Sequence, residues 1–228
     1  MVRYGYGFDY AYLLIIIVSV ALGALAQAYI RSAYKKWSHV GATMGKTGAQ
    51  VAREMLDAQG ASAVGITSVA GHLTDYYDPR DNCLHLSQEN FGGGSVASVA
   101  VACHEAGHAV QTAHGYAFGR IRTALVPVVN FTQRAWSVLF LLGIVMNFSG
   151  LTSLAIVCFA FSVLFQIVTL PVEIDASRRA VRYLSTVGGG IDERGARSVL
   201  TAAALTYVAA ALISVMQLVY LLARSNRR

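Results

Sequence analysis

Charge is scarce in this chain. Asp, Glu, Lys and Arg supply 13% of its 228 residues, against about 25% in an ordinary soluble domain. Cysteine is almost absent: Cys83, Cys103 and Cys158 are the whole complement and no C-x-x-C pair occurs. That excludes a disulfide framework and a cysteine-built zinc site, and the three read as core residues in a reducing setting. Proline is limited to Pro79, Pro127 and Pro171, and there is neither a low-complexity tail nor an internal repeat, which excludes linker-rich and solenoid architectures. The net charge of +6 comes without a basic stripe carrying aromatics or a reader motif, so nucleic acid is not an expected partner. One loop imitates a phosphate-binding motif. Gly41-Ala42-Thr43-Met44-Gly45-Lys46-Thr47 has three residues between its glycines where that motif needs four. No apolar strand precedes it, so no nucleotide site is expected there.

Apolar sequence fills the space that charge leaves. Hydrophobic residues make up 55% of the chain, concentrated in long runs. Residues 11–30 form about 20 nearly uninterrupted apolar positions, enough to cross a bilayer. The run is too long for a signal-peptide core and no small-residue cleavage site follows, so it reads as an uncleaved anchor. Runs at 135–146 and 151–170 read as a helical hairpin turning at Gly150. The first arm is short unless it starts near Pro127, which would take Asn130, Gln133 and Arg134 into the span. A fourth run covers 201–222. Basic residues cluster beside these runs, as Arg31, Lys35 and Lys36 and again as Arg178, Arg179 and Arg182. With four spans, 13 of the 18 Lys and Arg share one side, which the positive-inside rule places in the cytoplasm. Arg3, Arg224, Arg227 and Arg228 oppose that bias from the termini.

Between the runs lies His104-Glu105-Ala106-Gly107-His108. The H-E-x-x-H spacing puts two imidazoles one helical turn apart on one face, where both reach a single tetrahedral Zn²⁺. The carboxylate between them sits on the flank of the same turn, placed to take a proton from an attacking water. Chance alone yields the pattern in on the order of one chain in a hundred of this length. Ser95 is a natural N-cap and Gly115 a stop, so the spacing predicts a helix over 95–114. Upstream, 47–59 reads as an amphipathic helix burying Val51, Met55 and Leu56 and ending at Gly60. Residues 64–69 and 83–86 read as short strands joined by a turn over 75–82.

A zinc site needs a third protein ligand, and two residues compete. His114 has the spacing of the metzincins, but Gln111 stands where those enzymes place the glycine that turns the chain back. A continuing helix would carry His114 about 15 Å along the axis. Glu173 follows Pro171, which permits a new helix to begin at the membrane edge with the glutamate in its first turn. A carboxylate in so apolar a neighbourhood needs a counter-charge, and a zinc ion supplies one.

Several segments together carry a family resemblance: Leu73-Thr74-Asp75-Tyr76-Tyr77-Asp78-Pro79-Arg80, Leu84-His85-Leu86-Ser87, residues 95–102, His104 to Gln111, Leu170-Pro171-Val172-Glu173 and Asp175-Ala176-Ser177-Arg178-Arg179. In these segments, in their order and in the order of spans, the chain resembles the bacterial membrane-embedded neutral zinc metallopeptidases of the YugP type. The resemblance implies a gluzincin arrangement: His104, His108 and Glu173 as metal ligands and Glu105 as the base. Related integral-membrane gluzincins often carry an aspartate four residues after the ligand glutamate. Here Ser177 holds that place, so the supporting role falls to Asp175 or to Ser177.

The expected architecture is a mainly α integral membrane protein of about four transmembrane helices with a small α+β zincin-like catalytic domain. Its parts are an anchor (1–30), a zincin-like catalytic region (31–122), a transmembrane hairpin (123–171), a segment bearing the third zinc ligand (172–198), and a last span with a basic tail (199–228). The expected activity is endopeptidase cleavage with one Zn²⁺ per chain, acting on peptide or protein substrates at the bilayer in membrane-protein processing or quality control. A catalytically silent membrane scaffold retaining the zinc site is the alternative, and the intact Glu105 argues against it. His72, Tyr76, Tyr77 and Tyr116 are candidate oxyanion donors, and the strand over 83–86 is a candidate for pairing with an extended peptide.

Overall fold

The computed structural model describes residues 9–225. Arg3, Arg227 and Arg228, which enter the charge argument and the basic tail, lie outside the described residues. Among the described residues, four helices are long and apolar enough to span a bilayer: α1 (Tyr10–Ser38), α5 (Ala117–Val145), α6 (Ser149–Val187) and α7 (Gly190–Ser225). The shortest have 29 residues. At 1.5 Å per residue that is about 43 Å, more than the hydrocarbon thickness of about 30 Å. Asp9 caps α1 by accepting from the Tyr12 amide, and it also accepts from Tyr220 and Arg224, which ties α1 to the end of α7.

Between α1 and α5 lie α2 (Gly48–Ala58), β1 (Gly65–Val69), β2 (Tyr76–Asp78), β3 (Cys83–Ser87), α3 (Gln88–Gly92) and α4 (Val96–Ala113). Helix α2 starts where expected, because Thr47 and Gln50 form a capping box that satisfies two end amides. Val51, Met55 and Leu56 of α2 pack with Leu84 and Leu86 of β3 and with Val99, Cys103 and Val110 of α4 in one buried core. The pseudo-phosphate loop has a structural partner instead of a nucleotide. The Thr43 amide and hydroxyl and the Gly189 amide donate to the buried Asp192 carboxylate, fixing this loop to the start of α7.

Four expectations are corrected. Residues 76–78 form a strand where a turn is expected, and the turn itself shrinks to 79–82, with Asn82 left-handed at φ 52. The sheet order is β1-β3-β2, with β1 parallel and β2 antiparallel to β3. Strand β3 is therefore paired on both sides and has no edge for a peptide; the open edges belong to β1 and β2. The α5–α6 turn centres on Asn147 (φ 49), and Gly150 already lies in α6, while α5 extends back to Ala117 with Pro127 inside it. Finally, Pro171 does not begin a helix. Helix α6 runs unbroken for 39 residues, and Glu173 lies well inside it. A proline deletes one ladder hydrogen bond, but packing on both sides holds such a helix together in a bundle. The neighbouring carbonyls are also used: Pro171 accepts from Tyr116 and Val172 from Gln111.

One glycine sets how closely α4 meets α6. A Cβ at Gly107 would lie 2.8 Å from the Ala176 carbonyl oxygen. With only hydrogen there, α4 rests directly on the backbone of α6, one turn beyond Glu173.

Candidate metal centre

Ser95 caps α4 through its hydroxyl, which accepts from the Ser98 amide at 3.0 Å. The helix then runs without interruption through the H-E-x-x-H segment and past Gln111. His104 Nε2 and His108 Nε2 are 3.2 Å apart. Glu173 Oε2 approaches from α6, 3.3 Å from His104 Nε2 and 3.6 Å from His108 Nε2. Zinc bonds of about 2.0–2.1 Å at tetrahedral angles require ligand atoms about 3.3–3.4 Å apart. The three observed separations bracket that value. Glu173 Oε2 is also buried without a hydrogen-bond donor, and such an orphaned acceptor is costly unless a cation completes it. These three residues fit a zinc ion.

The far nitrogens of both rings are held as well. His104 Nδ1 lies 3.2 Å from the Ser177 hydroxyl, and His108 Nδ1 lies 3.2 Å from Gln111 Oε1. Gln111 is buried, and its amide nitrogen donates to the Val172 carbonyl and to Asp175 Oδ2, both at 2.8 Å. With its N–H groups spent, Gln111 offers only its oxygen to His108. The His108 proton must then reside on Nδ1, leaving Nε2 free to bind metal. Asp175 in turn accepts from Arg179 Nε at 2.6 Å. The choice between Asp175 and Ser177 thus dissolves: Ser177 holds one imidazole directly and Asp175 holds the other through Gln111.

Glu105 borders a cavity of about 530 Å³ shared with His104, His108 and Glu173. Burial pushes the Glu105 carboxyl above its ordinary range, partly offset by the two histidines. For His108 burial acts downward, yet the Glu173 and Glu105 carboxylates outweigh it and leave its pKa raised.

The remaining expected residues divide. His114 caps the end of α4, with its Nε2 3.0 Å from the Gln59 carbonyl oxygen, away from the centre. His72 pairs with Glu89 at 2.7 Å and does not line the cavity. Tyr76, Tyr77 and Tyr116 do line it, but Tyr77 spends its hydroxyl on Asn82 and Tyr116 reaches Pro171. One cavity tyrosine was missed altogether. Tyr207 enters from α7 beside Glu173. The only sequence signal was a phenol within an otherwise apolar run, which aromatic packing explains equally well.

With this geometry in hand, the chain can be compared with known proteins. Residues 12–226 match the family described as "Putative neutral zinc metallopeptidase". The chain is 41% identical over 202 residues to "Putative membrane protease YugP" of Bacillus subtilis, covering 88% of this chain and 90% of that relative. No solved structure matches it. The chain belongs to the neutral zinc metallopeptidase family that its residues 12–226 match.

Proposed function

We propose that this protein is a zinc-dependent endopeptidase of the bacterial cell membrane, of gluzincin type, working in membrane-protein processing or quality control. The reading rests on one observation above the rest: His104, His108 and Glu173 converge at ligand separations beside Glu105 and a cavity about 530 Å³ in volume. His104, His108 and Glu173 would hold one Zn²⁺ per chain. When bound, such an ion lowers the pKa of water and polarises a carbonyl oxygen. Glu105 takes the proton of the attacking water as its oxygen adds to the scissile carbonyl carbon. The same carboxylic acid then delivers that proton to the departing amine as the C–N bond breaks. Its raised pKa makes the carboxylate a stronger base for the uptake step. Tyr207 and Tyr76 are the cavity phenols offered to the developing oxyanion, and Gln111 and Ser177 keep both imidazoles in register.

The substrate class follows from the walls. The cavity is lined by β2 on the polar side and by α5, α6 and α7 on the membrane side. A polypeptide leaving the bilayer passes between these walls, and the open edge of β2 supplies backbone groups to align it. The basic clusters support a cytoplasmic position for this face; labelling of a cysteine at position 46 by an impermeant reagent in intact cells would contradict it. The catalytic test compares the parent with Glu105→Gln. Zinc content should be unchanged, while cleavage of an unstructured test protein falls about 10²–10⁴-fold. Equal cleavage by the variant rules out Glu105 as the base.

A further inference from the structure

A second groove, between α6 and α7, backs onto the candidate metal centre only through Ser177, and no step above uses its arginines. It encloses about 550 Å³ and is lined by Ser177, Arg178 and Arg182 from α6 and by Arg197, Leu200 and Thr201 from α7. Helical geometry explains the convergence. Arg178 and Arg182 are one turn apart, and the tight reversal at 188–189 brings Arg197 back opposite them. Arg197 is paired with Glu193 at 2.7 Å. Arg178 and Arg182 make no side-chain ion pair or hydrogen bond among the described residues. Like charges one turn apart repel, and three guanidiniums against one carboxylate leave the groove two charges positive. An anion is the missing partner.

The position in the membrane selects which anion. On α6 the apolar run ends at Leu170, and on α7 it begins at Thr201. Ile174, Leu200 and Ala204 thus lie at the membrane end of the groove, and the arginines lie on the turns just outside it. This is headgroup depth, where long basic side chains reach from an apolar stem to a polar surface. We propose that the groove binds the headgroup of an anionic phospholipid. The phosphodiester would be held by Arg178, Arg182 and Arg197, whose planar forks match paired phosphate oxygens. The acyl chains would lie along the apolar flanks of α6 and α7. The inference is independent of the peptidase reading, and its test needs no turnover.

Purified full-length protein is offered mixtures of phosphatidylglycerol and phosphatidylcholine, and retained lipid is counted by native mass spectrometry. The parent should retain phosphatidylglycerol preferentially. R178Q/R182Q/R197Q should lose that preference by about fivefold for each arginine removed, whereas R178K/R182K/R197K, which keeps the charge, should retain part of it. Glu193→Gln removes the lone carboxylate and should raise retention, which decides the matter if the triple glutamine variant fails to fold. Equal retention of the two lipids by the parent, or unchanged retention in both the triple variant and Glu193→Gln, overturns the proposal. So does displacement of all bound phosphatidylglycerol by millimolar inorganic phosphate, which would make the groove a site for free anions.

Discussion

Removing the Gln111 amide tests the organisation of the metal centre most directly. Gln111 touches no reacting atom, yet it links His108 to the Val172 carbonyl and to Asp175. Gln111→Leu keeps the approximate volume and deletes all three hydrogen bonds. The imidazole then loses the acceptor that holds its proton on Nδ1, and its ring is free to rotate away from His104 and Glu173. Losses of this kind cost about 10–100-fold in metal affinity, or about 1.4–2.7 kcal/mol. Fold stability should fall too, since the buried Val172 carbonyl and the half-buried Asp175 carboxylate lose a donor at about 1 kcal/mol each. The loss stays small because Asp175 keeps Arg179. Zinc affinity, measured by competition with a chromophoric chelator, is read beside the melting temperature with and without zinc. The expected pattern is a large drop in affinity with a small drop in the zinc-free melting temperature. Gln111→Leu binding zinc within about twofold of the parent, well below the range above, would refute the positioning argument.

Three further outcomes are expected. Glu173→Ala should lose zinc, because two imidazoles alone hold it poorly, while His114→Ala should keep zinc and most activity; the reverse pattern in metal analysis would point to a metzincin-like site. Tyr207→Phe should lower kcat by about 10²–10³-fold with zinc still bound, and an unchanged kcat in steady-state assays would remove Tyr207 from the mechanism. Zinc affinity should depend on pH through His108. Its pKa is raised in the metal-free protein, and a protonated ring cannot be a ligand, so affinity is full above that pKa and falls tenfold per pH unit below it. The decline should begin above the ordinary imidazole value of about 6.5, and chelator competition showing constant affinity down to pH 6 would refute this.

What could be read from residues alone was whatever depends on near neighbours along the chain. The pairing of His104 with His108, the Ser95 and Thr47 caps and the apolar runs are local properties; the helices start at those caps, and each run lies almost wholly within a helix, although α5, α6 and α7 extend well beyond their runs. Errors arose where local preference met a tertiary contact. Tyr76-Tyr77-Asp78 sits among turn formers and becomes a strand only because β3 pairs with it. Pro171 signals a helix start, yet α6 passes through it because the helix is packed against its neighbours on both sides of the proline. Gln111 was informative only as a helix former; its bonds to Asp175 and Val172 arise from a helix 61 or more residues away.

By itself the sequence determined the chemistry on offer: two histidines and a carboxylate on one helical turn, and three apolar stretches long enough to cross a bilayer beside a shorter fourth. Helical periodicity dictates such features within a few residues. The tertiary structure alone decided which distant groups complete the site. Glu173 and not His114 stands beside the two imidazoles because the α5–α6 hairpin returns the chain to α4, and the bare backbone at Gly107 lets the two helices touch. The same packing brings Tyr207 to the cavity and gathers three arginines into one groove. Periodicity carries no information across such separations; only the burial of complementary helix faces does.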